Sequence, residues 1–128
     1  MSEYALDGIE ALELNGVCSK RQMLFEAAFE TSDVEQFSSV YDMRMLSKAV
    51  FQFLNLGKTN AAKFTVYGAV DPAVKWEPLP NAQDIVLAAE VSVVKSLSDA
   101  YGFVRVGVVS NAAGQSTPFQ VLVEGKSR

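Results

Sequence analysis

The sequence predicts an all-β fold, a single β-sandwich or jelly-roll-like domain of about seven or eight strands preceded by an N-terminal arm. Three observations predict it. Apolar and polar residues alternate over short runs, clusters of Gly, Asn and Pro separate those runs, and no long stretch carries the apolar period of an amphipathic helix. The chain has 128 residues, 49% of them hydrophobic, which suffices for one buried core without metals or disulfides. Residues 1–20 read as the arm and residues 21–128 as the sandwich domain.

In the arm, Leu6, Ile9 and Leu12 have helical spacing, whereas Leu12 and Leu14 alternate with Glu10 and Glu13 as in a strand. Gly8, Asn15 and Gly16 oppose a long helix, so an extended segment with a short strand or turn is expected. Met23, Phe25, Ala27 and Phe29 then alternate with Leu24, Glu26 and Glu30 in the pattern of a half-buried strand. Thr31 to Ser39 is polar and reads as a connection.

The stretch from Leu46 to Trp76 reads as a β-hairpin, with two runs rich in Val, Phe and Tyr flanking a polar Gly/Asn cluster. Its first half, with Val50, Phe51, Phe53, Leu54 and Leu56, is apolar on both faces and belongs at the centre of a sheet. Its second half alternates Phe64, Val66 and Val70 with Thr65 and Tyr67, with Gly68 as the expected site of a bulge. Asp71-Pro72 ends the run. Pro78 and Pro80 then restrict a connection. Ile85 to Val94 is β-branched and reads as strand, with helix as the competing reading for Ala88 to Leu97. Tyr101, Phe103 and Arg105 alternate with Val104, Val106 and Val108 up to a turn at Asn111-Ala-Ala-Gly114. A last strand starts at Pro118 and runs through Phe119, Val121 and Val123, with Gln120 and Glu124 facing water.

Composition narrows the chemistry. The chain has no histidine, which removes imidazole as general base and as metal ligand. Its single cysteine, Cys18, excludes an internal disulfide framework and multi-cysteine zinc patterns. No catalytic residue, metal site or cofactor is therefore assigned. A net charge of −4 disfavours binding to phosphate backbones, so nucleic acid is not an expected partner. No apolar run approaches the roughly 20 residues that span a bilayer, and the acidic start lacks the features of a signal peptide.

Four motifs bear on activity. Gly57-Lys58-Thr59 imitates the end of a phosphate-binding loop, but Gln52 stands where that motif needs glycine and a strand follows instead of a helix. Asp71 and Glu77 beside Trp76 superficially resemble a glycosidase carboxylate pair. Cys18 lies near Lys20 and Arg21 but lacks a partner histidine or thiol. Trp76 with Tyr67 and Tyr101 offers an aromatic platform on which a sugar ring can stack, with core packing as the alternative fate.

Charge is uneven along the chain. Residues 1–42 hold nine acidic and two basic side chains, and residues 43–128 hold nine basic and six acidic ones, so the two parts carry −7 and +3. A solvated acidic face and head-to-tail attraction between copies both follow from that asymmetry. Under the second, the interface residues are Glu3, Asp7, Glu10 and Glu13 in the arm, complemented by Arg44, Lys48 or Arg105.

The run Phe53-Leu-Asn55-Leu-Gly57-Lys-Thr-Asn60-Ala-Ala-Lys-Phe64-Thr-Val66-Tyr-Gly68, with Asp71 and Trp76 after it and Tyr101-Gly-Phe-Val-Arg105-Val later, resembles β-sandwich proteins of bacteriophage virions. The resemblance covers roughly residues 45–124. Asp71-Pro72 stands where an Asp-Gly turn is more usual. The resemblance implies a capsid decoration (cement) protein or a head or neck component, made in the host cytoplasm and located in the virion. It implies a homo-oligomer, with a trimer expected, whose arm reaches a neighbour, the major capsid protein or another virion protein. Many weak contacts made at once would then hold the shell firmly. The alternative expectation is a carbohydrate-binding or adhesion module. A structural role expects Trp76 buried or at a subunit interface, and the alternative expects it exposed beside Tyr67 or Tyr101.

Overall fold

The computed structural model describes residues 21–98 and 102–127, together with Tyr4–Ala5 and Gly8–Ile9. The last two form β1 and β2, which pair in parallel. The remaining strands are β3 (Arg21–Glu30), β4 (Gln36–Phe37), β5 (Tyr41–Asp42), β6 (Leu46–Asn55), β7 (Ala62–Ala69), β8 (Glu77–Pro78), β9 (Ile85–Leu87), β10 (Ser92–Ser98), β11 (Phe103–Ser110) and β12 (Pro118–Ser127). One 3-10 turn, Pro80–Ala82, separates β8 from β9.

Two antiparallel sheets make the sandwich. The first has the order β10-β6-β12-β3. In the second, β11 and β7 form the centre, β4 and β5 both pair with β11, and β8 and β9 both pair with β7. Each edge of that sheet is thus one strand interrupted by a loop, so the two sheets are equally wide. The chain changes sheet between β3 and β4, β5 and β6, β6 and β7, β9 and β10, β10 and β11, and β11 and β12. This is the winding of a jelly roll, the more specific of the two architectures expected from the sequence.

Strand alternation decides the core. Ala49, Phe51 and Phe53 of β6, Phe64 and Val66 of β7, Val104, Val106 and Val108 of β11, and Phe119, Val121 and Val123 of β12 are all buried. The Phe53 and Phe64 rings stack across the two sheets with centroids 3.9 Å apart, and Phe51 and Phe119 extend the stack to either side. Each such side chain, fully buried, contributes roughly 1.5–3 kcal/mol of transfer free energy, which explains why the alternation is legible.

Several expectations are corrected. Leu46 to Trp76 is not a hairpin, because β6 pairs with β10 and β12 while β7 pairs with β11, β8 and β9. The connection between them is an arch that carries the chain across the core. The Gly/Asn signal marks a reversal, but Phe53 and Phe64 must face each other through the core, and that sends the second strand into the opposite sheet. Gly68 is not a bulge, since it stays in register with both Val104 and Glu77. In the sandwich the register shifts lie opposite β12, where Leu24 of β3 is passed over between Val123 and Glu124 and Ser47 of β6 between Lys126 and Ser127. The Thr31 to Ser39 connection contains β4, an edge strand too short to show a period. Of residues 88–97, for which helix competed with strand, 92–97 are strand, as β10 pairs residue by residue with β6.

An aromatic and arginine cluster on the outer sheet face

Because Val104, Val106 and Val108 point into the core, the intervening residues of β11, Phe103, Arg105 and Gly107, point outward. Likewise Phe64 and Val66 of β7 leave Tyr67 on the outer face. Register then assembles the site. Arg105 lies opposite Tyr67, Tyr67 opposite Pro78, and Phe37 opposite Gly107. Trp76, two residues before Pro78, joins the same face. The strand order sets Phe37 on one flank of β11 and Trp76 on the other.

The Arg105 guanidinium carbon sits 4.1 Å from the Phe37 ring centre, 4.7 Å from that of Trp76 and 5.9 Å from that of Tyr67. The cation is held by ring faces. Its Nε is buried without a hydrogen-bond partner, and among the described residues no carboxylate pairs with it. Phe37 is 44% exposed, whereas Tyr67, Trp76 and Arg105 are half-buried. Phe37 and Tyr67 also pack against each other at 5.8 Å with their rings tilted by 60°.

Glu35 completes the group. The Tyr67 hydroxyl donates to its Oε2 at 2.7 Å. This position requires Gly107, since a Cβ there would collide with the Glu35 carboxylate and press on the Tyr67 ring. Burial, followed by the hydrogen bond to Glu35, pushes the Tyr67 phenol up to about 12. Removing a proton from it would place a second negative charge against the Glu35 carboxylate.

The other residues singled out from sequence fall elsewhere. Arg44 donates from Nε and Nη2 to both carboxylate oxygens of Asp42, at 2.9 and 2.7 Å, and lies over the Phe103 ring. The Arg44 hydrogen bonds hold the Asp42 carboxyl down at about 2. Lys48 is exposed on β6. Glu3, Asp7, Glu10, Glu13, Cys18 and Tyr101 lie outside the described residues. Asp71 and Glu77 are each engaged locally. Asp71 accepts the Ala73 backbone N–H at 2.9 Å, and Glu77 pairs with Lys75 at 2.9 Å. Among the described residues no group of three or more Cys, Asp or Glu side chains is arranged to hold a metal ion, and no helix is long and apolar enough to cross a membrane.

At one end of the sandwich the structure holds a buried polar network that sequence reading did not identify. Asn55 is 2% exposed. Its Oδ1 accepts from the Gly57 N–H at 3.0 Å and the Thr117 hydroxyl at 2.8 Å, while its Nδ2 donates to the carbonyls of Asn60 at 2.9 Å and Leu87 at 3.0 Å. Thr31 Oγ1 shares a hydrogen bond of 2.9 Å with Ser110 and accepts the Thr117 N–H at 2.9 Å. Gly57 thus serves a close approach, since a Cβ there would collide with the Thr117 hydroxyl. The Gly-Lys-Thr string belongs to this arch.

A pocket of about 210 Å³ opens between the sheets near the 3-10 turn, floored by Phe51, Val66 and Leu79, with Lys95 at its rim. The Lys95 ammonium donates to the Asn81 carbonyl at 3.3 Å. The pocket is smaller than the roughly 300–1,000 Å³ of typical ligand sites.

No family model matches the chain, and no curated protein sequence does. Several solved structures resemble it. A protein of the Bacillus endospore appendages, described as a novel family of disulfide-linked pili, aligns with a TM-score of 0.57 and 12% identity over 94% of this chain and 99% of its own. PirA aligns at 0.54 and 11% identity, over 75% of this chain and 90% of its own. A CBM4 structure aligns at 0.50 and 14% identity, over 86% of this chain and 81% of its own. At these identities the likeness establishes the shared β-sandwich fold.

Proposed function

We propose that this chain is a non-catalytic structural or adhesion domain of a particle or appendage surface, with capsid decoration as its specific form. The observation that carries the proposal is the outer face of the second sheet. Aromatic and charged groups gather there on an open surface, where a partner can lie flat, rather than in a cleft that would enclose a small substrate. The carboxylates that sequence offered for chemistry are engaged in their own turns. Whole-length likeness to a pilus protein supports an assembly role, and jelly rolls serve both capsids and lectins. Those pili are described as disulfide-linked. The single Cys18 allows one disulfide per copy, so copies of this chain alone would link no further than dimers through it.

The solution mass, measured by size-exclusion chromatography with light scattering at low and high salt, tests this proposal. A trimer or larger ring that dissociates as salt rises is expected, because the −7 and +3 parts of the chain attract across copies. A salt-independent monomer would overturn assembly by charge. Deleting residues 1–20 should leave the sandwich folded and weaken the assembly, and loss of folding would remove the assignment of those residues as an arm.

A second reading, a carbohydrate-binding or adhesion module, is favoured by one observation. Trp76 and Tyr67 meet around Arg105 on the outer face of the second sheet, although Trp76 is half-buried, between the exposed position expected of a platform and the buried one expected of a structural role.

A further inference from the structure

We infer that the face formed by Phe37, Tyr67, Trp76, Arg105 and Glu35 binds a carboxylate-bearing saccharide, with Arg105 gripping the sugar carboxylate. The inference rests on the adhesion reading and names its ligand class. It starts from an unusual state of Arg105. Its Nε is buried without an acceptor, and no described carboxylate pairs with it. A guanidinium with an orphaned buried N–H is normally compensated elsewhere, yet among the described residues the groups that meet its head are ring faces.

Those rings do something specific. Phe37 and Trp76, at 4.1 and 4.7 Å from the guanidinium carbon, stand on the two flanks of β11 and brace the plane between them. A braced guanidinium loses little freedom on binding, and its outer N–H groups match the two oxygens of a carboxylate. An ammonium would supply charge without that fork. The buried Nε stays closed to a ligand, but the outer N–H groups, which no described carboxylate meets, are left for one.

The surroundings select a sugar rather than an acidic peptide. Each of the Phe37, Tyr67 and Trp76 rings turns one face to Arg105, and the surface they leave exposed, most of all on Phe37, is offered to the C–H face of a pyranose. Glu35 is already fixed by the Tyr67 hydroxyl through Oε2, and no described donor occupies Oε1, which is left to accept a sugar hydroxyl. Gly107 keeps that carboxylate down on the sheet. A ligand that is acidic at one end and rich in hydroxyls beside an apolar ring face meets all three features. An acidic peptide would engage Arg105 but brings neither the ring hydroxyls for Glu35 nor the C–H face of a pyranose for the rings.

Trp76 is the sole tryptophan, so its fluorescence reports this site directly. The full chain would be titrated at low salt with oligogalacturonate, with its methyl-esterified form as the uncharged counterpart, with a neutral galactan oligosaccharide, and with a synthetic peptide of residues 1–20. A saturable change with oligogalacturonate, at least tenfold weaker with the methyl ester, is expected. Arg105→Gln should lower affinity at least tenfold, and Arg105→Lys should recover only part of it, in proteins whose far-UV circular dichroism matches the parent. Should either variant misfold, two further measurements test the same contacts: Phe37→Ala, which removes one of the rings that brace the guanidinium, should lower affinity for oligogalacturonate, and the parent chain should lose that affinity as salt rises. Equal response to the acid, the ester and the galactan would overturn the acidic preference while leaving an aromatic platform. A response to the peptide alone would overturn the saccharide in favour of an arm-docking site. No response to any of the four would overturn both this inference and the adhesion reading, leaving the assembly role to be judged by solution mass.

Discussion

Replacing Asn55 by alanine should be among the most damaging single changes in the chain. The side chain is buried, and it makes four hydrogen bonds that tie the β6 to β7 arch to the β9 and β12 segments. At about 1 kcal/mol net for each hydrogen bond, the loss is about 4 kcal/mol. That is a large share of the roughly 5–15 kcal/mol that holds a domain of this kind together. The Gly57 N–H and the Thr117 hydroxyl would also lose their acceptor in a region closed to water. Urea unfolding followed by Trp76 emission reads the effect, and with a slope of about 2 kcal/mol/M the midpoint should fall by about 2 M. Thr117→Val removes only one of the four bonds and should cost about 1 kcal/mol. In the Asn55→Ala background that substitution should cost almost nothing, because its partner is already gone, and a double-mutant cycle measures that coupling. Asn55→Asp keeps the accepting oxygen but turns a second oxygen toward the Asn60 and Leu87 carbonyls. Burial and those dipoles raise its carboxyl pKa, so the variant should be steadier in acid and lose stability as pH rises through the ordinary carboxylate range toward that raised value. A loss under about 1 kcal/mol for Asn55→Ala would refute the reasoning, since the network would then be dispensable to the arch.

The remaining predictions concern backbone and titration. Gly107→Ala should destabilise by roughly 1–3 kcal/mol, because its methyl group displaces the Glu35 carboxylate, and Trp76 emission should shift as the cluster opens. Glu90 occupies the left-handed region at φ 66°, so Glu90→Gly should stabilise by about 1 kcal/mol, visible as a rise in Tm. Tyr41 and Tyr67 both sit at about 12. The folded state therefore holds protons that the unfolded state has released above about 10, and stability should fall as pH climbs from there through 12. Spectrophotometric titration should show two late phenols, and Tyr67→Phe should remove one of them. Asp42 is held at about 2 by Arg44, so its contribution is present above the ordinary carboxylate range and disappears as pH falls toward 2. Carboxyl NMR titration should show Arg44→Gln moving Asp42 up toward the usual range, short of it because the backbone N–H of residue 44 still donates to Oδ1.

The candidate site was legible in parts. Trp76 and Tyr67 stood out as aromatic residues near strand ends, and Arg105 stood out by charge, although it was assigned to a different task. Nothing along the chain joins Arg105 to Trp76, because their meeting depends on the register of β11 with β7 and of β7 with β8. Phe37 and Glu35 were hidden inside a polar segment whose strand is two residues long, too short for any period to register. A glycine at the centre of β11 was the one available signal for Glu35, since Gly107 sits in a run of valines where a side chain would normally stand.

What the sequence determined by itself was the class of fold, the inward faces of the long strands and the positions of most turns. Those depend on local physics: alternation follows the two-residue period of a strand, and turns follow the backbone preferences of Gly, Pro and Asn. Only the tertiary structure decided which strands lie side by side. A hairpin and an arch use the same turn residues, and the choice between them was made by the Phe53 and Phe64 rings stacking through the core from opposite sheets. The Asn55 network and the Arg105 cluster belong to that second category. Each gathers residues distant along the chain, and long-range burial and register, rather than local preference, bring them within reach of one another.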